Sequence, residues 1–426
     1  MAITTDNNLF NKYYYSQKKK HDIRLTTDPT HIMTQKWPQE ILCKISQSLF
    51  VLLLMLCSFA SHGETEQSAC NSANHLDWSE VEKWVWGEIC RSNDHTADLN
   101  DYDGKNSTTP FETAKRLNKS FERHYVERQL SSEFLNNLLQ SKTLAGNIQS
   151  SGITIKNAYF NEPVQLDHAQ INFPLRLEHS LFNSSVDLNY IKVKDTLSFN
   201  HSFFRNSLNI NAATINGDLF LIKTHLTDVS LRNTNIKNSL DLCGAKGTKI
   251  VEKLAMDSIT VGNDVIMYGI TGINDISLEA ANISGSLNIA DATVNDHLDM
   301  DSIILGGNLL LSKPNKPLEN LSCKLDNASH DRAIFNEIDL PGAKIDGWVN
   351  FRGAQVTGKL NMDAIVIQED LFMRNASFEK TVELSGATIG DQVSMFCSTF
   401  DKILIMDSIN IGSHLYMNGN SITRES

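Results

Sequence analysis

Leu208–Asp218 reads LNINAATINGD, and this eleven-residue pattern returns in one register as ISLEAANISGS from Ile276, LNIADATVNDH from Leu287, VNFRGAQVTGK from Val349 and VELSGATIGDQ from Val382. In each unit the first and third residues are large and aliphatic, the sixth is usually Ala, Ser, Thr or Ile, and the eighth is Ile, Val, Leu or Phe. Residues two apart share one face of a strand, so each unit holds two short inward-facing pairs. The intervals between these pairs are too short for a helix and its return, and an eleven-residue helical repeat would need a different apolar spacing.

Units of this kind run from residue 153 toward the C-terminus, with a slip of one residue at 229, a short insertion before 254 and a longer interruption at 312–337. Two short sides per unit and two units per turn predict an all-β solenoid, a four-sided parallel β-helix of about 22 residues per coil. Parallel strand pairing would space its coils about 4.8 Å apart. The polar residues between the pairs are those of tight turns, with glycine recurring at the tenth place, as at Gly217 and Gly358.

Three regions follow from this pattern: residues 1–60, 61–150 and 151–426. The first is predicted to be an N-terminal extension and signal peptide, because Leu49–Ala60 is apolar but too short to span a bilayer, and Ser58-Phe59-Ala60 resembles a cleavage site. Met33 is an alternative start that would give a conventional signal length. We therefore expect a secreted or periplasmic protein without a stable membrane span, cleaved near Ala60.

Region 61–150 is predicted to be a helical cap over the open front end of the β-helix. Ser79-Glu80-Val81-Glu82 is a capping box, which predicts a helix over about 78–90. Further helices are expected near Pro110–Gln129 and over Ser132–Gln140. The C-terminal coil has no comparable cap, so it is expected to be frayed or to serve as a contact surface, including an end-to-end contact between copies.

Composition limits the class of partner. The net charge is −12, and the part after residue 62 carries −15. An acidic exported body argues against nucleic acid or an anionic membrane as the main partner. Seven cysteines are too few for a disulfide scaffold; a bond between Cys70 and Cys90 is expected, and Cys243, Cys323 and Cys397 are expected to be free thiols.

The small-then-large pairs of Ala213-Thr214-Ile215 and Ala387-Thr388-Ile389 resemble those of pentapeptide-repeat proteins, which implies a right-handed quadrilateral β-helix. Alternate pairs depart from that pattern by beginning with Leu or Val. Residues 78–426 are also similar to exported bacterial proteins, some from intracellular pathogens, that join a short helical region to repeats like SGATIGD and GAKIDG. Some of those proteins carry the label "membrane-associated oxidoreductase", for which no residue here provides support. Pentapeptide-repeat proteins that mimic DNA have acidic surfaces, but export would not suit that role.

Candidate sites come from ladders, because stacked coils place residues 22 apart above one another. Asp257, Glu279 and Asp301 form a carboxylate ladder that could hold Ca²⁺ or a basic partner, or extend into water. No GxGxxG, GxxxxGK[ST], HExxH or GxSxG motif is present, so no motif supports a nucleotide-binding, zinc-protease or serine-hydrolase function. His179 and His201 form a shorter ladder without an evident third metal ligand.

Arg352 and Arg374 stack in the later coils and are candidate partner-binding residues. The interruption at 312–337 adds His330, Asp331 and Arg332, because long excursions from a regular scaffold often carry binding function. These features predict a non-catalytic exported interaction protein that presents a β-helix surface to a protein or glycan and acts as a host-directed or virulence factor. The alternative is a polysaccharide lyase or hydrolase in which the carboxylate ladder binds Ca²⁺ and an arginine removes a proton.

Overall fold

The computed structural model of the chain describes residues 77–103, 126–140, 151–247, 253–313 and 333–422. These residues form a parallel β-solenoid of about 11 turns, preceded by a small helical region. The predicted fold class is therefore confirmed. The signal peptide, Cys70, Cys323, His330, Asp331 and Arg332 lie outside the described residues.

The helical region contains α1 (Glu80–Arg91), α2 (Leu99–Asp103), a 3₁₀ turn (Val126–Arg128) and α3 (Ser132–Gln140). The capping box at the start of α1 is present as predicted: the Ser79 side chain accepts from the Glu82 amide, and the Glu82 side chain accepts from the Ser79 amide. The bounds of α3 are those expected from the sequence. Of the helix expected near 110–129, the structure describes only the 3₁₀ turn.

The helices pack onto the first coil and continue its apolar core. Val85, Ile89, Phe134 and Leu138 are fully buried and belong to one continuous hydrophobic cluster with the solenoid interior. The capping region also contains a strand that the sequence did not predict, β1 (Thr96–Asp98), which pairs in parallel with the first strand of the solenoid. The cap thus closes the front end with apolar side chains and with a strand.

The solenoid has four sides, numbered here in the order in which the chain follows them. Side one contains β2 Ile153–Lys156, β6 Leu175–Glu178, β10 Leu197–Ser198, β14 Leu219–Phe220, β18 Leu240–Asp241, β22 Val265–Ile266, β25 Leu287–Asn288, β28 Leu309–Leu310, β31 Val349–Asn350, β35 Leu371–Phe372, β39 Val393–Ser394 and β43 Leu415–Tyr416. Side two contains β3 Tyr159–Phe160, β7 Leu181–Phe182, β11 Phe203–Phe204, β15 His225–Leu226, β19 Lys246–Gly247, β32 Gln355–Val356, β36 Ser377–Phe378, β40 Thr399–Phe400 and β44 Ser421–Ile422.

Side three contains β4 Val164–Gln165, β8 Val186–Asp187, β12 Leu208–Asn209, β16 Val229–Ser230, β20 Lys253–Ala255, β33 Leu360–Asn361, β37 Val382–Glu383 and β41 Leu404–Ile405. Side four contains β5 Gln170–Ile171, β9 Lys192–Val193, β13 Thr214–Ile215, β17 Asn235–Ile236, β21 Thr260–Val261, β24 Asn282–Ile283, β27 Ile304–Leu305, β30 Lys344–Ile345, β34 Val366–Ile367, β38 Thr388–Ile389 and β42 Asn410–Ile411. Three longer strands run from side two into side three: β23 Ile273–Ser277, β26 Thr293–Asp299 and β29 Ile334–Asp339.

Strand pairing follows the predicted 22-residue offset. Leu175 pairs with Leu197, which pairs with Leu219, and the first, third, sixth and eighth residues of the units line the interior. The interruption is shorter than predicted, because 333–337 continue the coil in β29, and Lys313 still bonds to the following coil through its amide, 2.9 Å from the Arg352 carbonyl.

The turns place different demands on the fifth and tenth residues of a unit. The fifth residue of a unit, not the tenth, adopts positive φ, as at Ala212 (53°) and Ala280 (54°). Glycine at the tenth place is required where two backbones approach closely. A Cβ on Gly217 would lie 2.6 Å from the Asp195 carbonyl carbon. At Gly217 the stacked turn therefore leaves no room for a side chain.

Candidate functional site: the acidic face

Carboxylates are concentrated on the outside of side three in the middle coils. We call this surface the acidic face and define it by the following residues: Asp257, Asp275, Glu279, Asp296, Asp299, Asp301, Glu337 and Asp339. Five of them lie in the long strands, and the other three, Asp257, Glu279 and Asp301, lie in the turns that follow strands of side three. Alternation along a strand places Asp299 outside, between the buried Leu298 and Met300.

The three long strands broaden this surface. The register shifts between Ile273 and Asp275, and again between Val294 and His297, so the corner between sides two and three is irregular here. As a result Asp275, His297 and Glu337 align across neighbouring coils. The repeat pattern places these three residues in turns between strands, but in the structure they belong to one continuous sheet surface.

Basic side chains contact only some of these carboxylates. The Arg232 Nε lies 2.7 Å from Asp257 Oδ2, and the His297 Nε2 lies 2.8 Å from Asp339 Oδ2. The Ser277 hydroxyl also donates to Asp257. Glu279 and Asp296 are exposed, and no ion pair within the described ranges involves them. The face therefore keeps negative charge that a cationic group can approach.

The predicted carboxylate ladder is stacked as expected. The Ser258 amide donates to the Glu279 carbonyl at 2.8 Å, and the Ala280 amide donates to the Asp301 carbonyl at 2.9 Å, so Asp257, Glu279 and Asp301 lie in successive coils. Arg232 already pairs with the first of them. Within the part of the chain that the structure describes, no group of three or more His, Cys, Asp or Glu side chains is placed to hold a metal ion.

The two arginines predicted as partner-binding residues lie elsewhere. Arg352 and Arg374 follow β31 and β35, which belong to side one, and they stack as predicted because the Gly353 amide donates to the Arg374 carbonyl at 3.0 Å. The Arg374 guanidinium lies 5.1 Å from the centre of the Phe372 ring, and its Nε donates to Ser394 Oγ at 2.7 Å. The structure does not bring them together with the acidic face.

His179 and His201 form a stacked pair whose ring centres are 4.7 Å apart. Burial lowers the pKa of His179, Glu178 opposes that effect, and Lys156 adds to it. A lowered pKa favours the neutral imidazole, which suits face-to-face packing of two rings without charge repulsion. The arrangement is consistent with a structural role in the turns of the early coils.

Among the described residues, two cysteines are disulfide-bonded. Cys90 is disulfide-bonded, as expected, and its partner cysteine lies outside the described residues. Cys243 is also disulfide-bonded, so the prediction that it is a free thiol was wrong. The repeat pattern could not show this, because Cys243 occupies an outward fourth position and its partner cysteine also lies outside the described residues. Cys397 is free and exposed, as predicted.

Comparison of the chain with protein-family models, with characterised proteins and with solved structures gave no match. Among the described residues, no helix is both long enough and apolar enough to cross a membrane.

Proposed function

We propose that the chain is an exported, non-catalytic interaction protein whose acidic face binds a basic surface of a partner protein. The observation that carries this proposal is the excess of carboxylates over basic partners on one broad sheet surface. Neighbouring coils place like charges about 5 Å apart, so they repel one another in the free protein. A cationic partner relieves that repulsion and is steered to the surface by long-range attraction.

The same face favours a protein over an acidic glycan, which it would repel. A host-directed role follows from the sequence resemblance to exported bacterial proteins with similar repeats, and it belongs to the same proposal. The solenoid supports an interaction role because it offers long, regular outer surfaces on a rigid scaffold.

The lyase alternative has less support. It needs a bound cation and a proton-removing arginine beside one substrate, but the carboxylates lie on side three and Arg352 and Arg374 on side one. A calcium titration followed by thermal melting tests the cation: a resident site raises the melting temperature as calcium rises toward millimolar concentration. We expect no such rise, because Arg232 already neutralises Asp257. The oxidoreductase label has no support from the described side chains.

The binding role is tested with a fluorescent lysine-rich peptide as probe and with two matched triple variants of residues 61–426. The first variant, Asp275→Asn/Glu279→Gln/Asp296→Asn, removes carboxylates of the acidic face. The control, Glu162→Gln/Asp363→Asn/Asp407→Asn, removes the same charge outside it. None of these side chains accepts a hydrogen bond that we observe within the described ranges.

We expect the first variant to weaken binding at least about tenfold and the control to stay within about twofold of the parent, with binding that falls as salt rises. Equal loss in both variants would mean that net charge alone attracts the peptide, and the acidic face would then have no special role. Export is tested separately by N-terminal sequencing of the protein recovered outside the cytoplasm, which we expect to begin near Ser61.

A further inference from the structure

The outside of side one carries aromatic rings and arginines in its late coils. We call this surface the arginine–aromatic strip and define it by the following residues: Trp348, Arg352, Phe372, Arg374, Ser394 and Phe396. Phe396 is 46% exposed although a coil lies on either side of it: the Asn375 amide donates to the Phe396 carbonyl at 3.0 Å, and the Cys397 amide donates to the Asn418 carbonyl at 3.1 Å. Its exposure therefore belongs to the face itself.

Strand pairing aligns the strip along the solenoid axis. Phe372 pairs with Ser394 in the next coil, and Arg352 and Arg374 each follow their strand of side one by two residues. Arg352, Arg374 and Phe396 thus hold the same fourth place in three successive coils, which lie about 4.8 Å apart. A ligand that lies along the axis meets an arginine in two coils and an aromatic ring in the third.

Two neighbours hold the Arg374 guanidinium in place. Its centre lies 5.1 Å from the centre of the Phe372 ring, and its Nε donates to Ser394 Oγ at 2.7 Å. Phe372 packs in turn against Trp348, with ring centres 6.4 Å apart. The Ser394 contact uses one of five N–H donors, and within the described ranges we observe no acceptor at the two Nη groups. A guanidinium that is already oriented binds a planar carboxylate with less loss of conformational freedom.

Charge makes the strip attractive to an anion. Neither Arg352 nor Arg374 forms an ion pair with another described residue, although the chain has a net charge of −12. The carboxylates of this side lie at its opposite edge, in the turns before β31, β35 and β39: Asp346, Glu369, Asp370 and Asp391. An anionic group is therefore attracted to one edge of side one and repelled from the other.

Arginines beside aromatic rings match the chemistry of an acidic sugar. A carboxylate accepts two N–H groups of a guanidinium, and the C–H groups of a pyranose ring pack on the electron-rich face of an aromatic ring. A phosphate polymer fits less well, because its dense charge meets only two arginines on a protein that is acidic overall. One coil spacing is comparable to the length of one sugar unit, so a polysaccharide can follow the strip coil by coil.

We propose that the arginine–aromatic strip binds an acidic polysaccharide in which uronates alternate with uncharged sugars. Arg352 and Arg374 together hold one uronate carboxylate, and Phe396, one coil further along, packs against the next, uncharged sugar. The strip lies on side one and the acidic face on side three, so this proposal does not rest on the proposed function.

Calorimetric titration of residues 61–426 with a hexasaccharide of alternating glucuronate and N-acetylglucosamine tests the strip. We expect Arg374→Gln to weaken binding at least about tenfold and Phe396→Ala at least about threefold. Arg176→Gln is the matched control for charge, because Arg176 lies on side one in an early coil. Tyr190→Ala is the control for the ring, because Tyr190 is 54% exposed outside the strip. Both controls should stay within about twofold of the parent.

The uncharged hexasaccharide of N-acetylglucosamine should bind the parent at least about tenfold more weakly. No binding of the glucuronate hexasaccharide at millimolar concentration would overturn the proposal, as would equal losses in Arg374→Gln and Arg176→Gln. Tighter binding of a single-stranded oligonucleotide of equal charge at the same arginines would also overturn it, in favour of a phosphate polymer. Phe396 is exposed, so its substitution tests the strip even if Arg374→Gln fails to fold.

Discussion

At the scale of single residues, the solenoid depends on a left-handed backbone at the fifth place of most units. Non-glycine residues occupy many of these positions, among them Asn157, His179, Tyr190 and Ala364, all with φ between 51° and 60°. Such a conformation costs about 1–2 kcal/mol for a residue with a Cβ. The fold tolerates this cost because the turn places the sixth residue back into the interior.

Ala364 gives a direct test of this strain. Its φ is 52°, so Ala364→Gly should stabilise the protein by about 0.5–1 kcal/mol, and Ala364→Val should destabilise it by more than 1 kcal/mol because a β-branched side chain resists this region. Urea unfolding followed by circular dichroism measures both. If both variants changed the free energy of unfolding in the same direction, φ would not be what governs this position.

At the scale of elements, Glu82 joins two helices of the cap. Its carboxylate accepts from the Ser79 amide at 2.8 Å and from the Ser131 amide at 2.8 Å, and the hydroxyls of both serines also donate to it. Ser131 Oγ in turn accepts from the Phe134 amide at 3.0 Å, at the start of α3. One buried carboxylate therefore holds the N-termini of α1 and α3 together.

Glu82→Gln should destabilise the protein by about 1–3 kcal/mol at neutral pH, because it replaces charge-assisted hydrogen bonds with neutral ones. Burial alone would raise the pKa of Glu82, but the hydrogen bonds from Ser131 and Ser79 outweigh it and lower the pKa below 4.5. The stabilisation is therefore complete above the unfolded pKa and is lost as pH falls through the folded one. Thermal melts of parent and variant should converge as the pH is lowered through the pKa of the folded-state carboxyl group; a constant difference would argue against this role.

The disulfides also act at this scale. Reduction should lower the free energy of unfolding by about 2–4 kcal/mol per bond, and Cys90→Ser and Cys243→Ser should each reproduce part of that loss. Peptide mapping without reductant identifies the partners, and we expect Cys70 to be joined to Cys90. A map that joins Cys90 to another cysteine would contradict the sequence-based pairing.

The sequence predicted what depends on local repetition and missed what depends on distant contacts. The capping box at Ser79 and the inward positions such as Ile210 follow from neighbouring residues, and the structure confirms them. The Glu82–Ser131 contact and the disulfide at Cys243 join segments far apart in sequence, which no repeat register reveals. The stacking of Asp257 over Glu279 was predictable from the 22-residue offset, but its pairing with Arg232 depends on the slip at 229 and the insertion before 254.

At the scale of the whole molecule, the solenoid should not be uniformly stable. Each coil contacts mainly its neighbours, so opening begins where one neighbour is lacking. Hydrogen exchange should be slowest at amides of the middle coils, such as Val265 and Leu287, and fastest at Leu404 and Met406. Uniform protection along the solenoid would contradict this expectation.

The helical cap on the first coil gives the molecule a direction of assembly. Because the polypeptide leaves the ribosome from its N-terminus, α1, β1 and α3 are made before any full coil exists. We expect each later stretch of about 22 residues to add to an edge that already fixes its register. The units of this sequence differ only slightly, and the four sides are nearly equivalent, so units could otherwise pair out of order. A fixed starting edge protects against such mispairing.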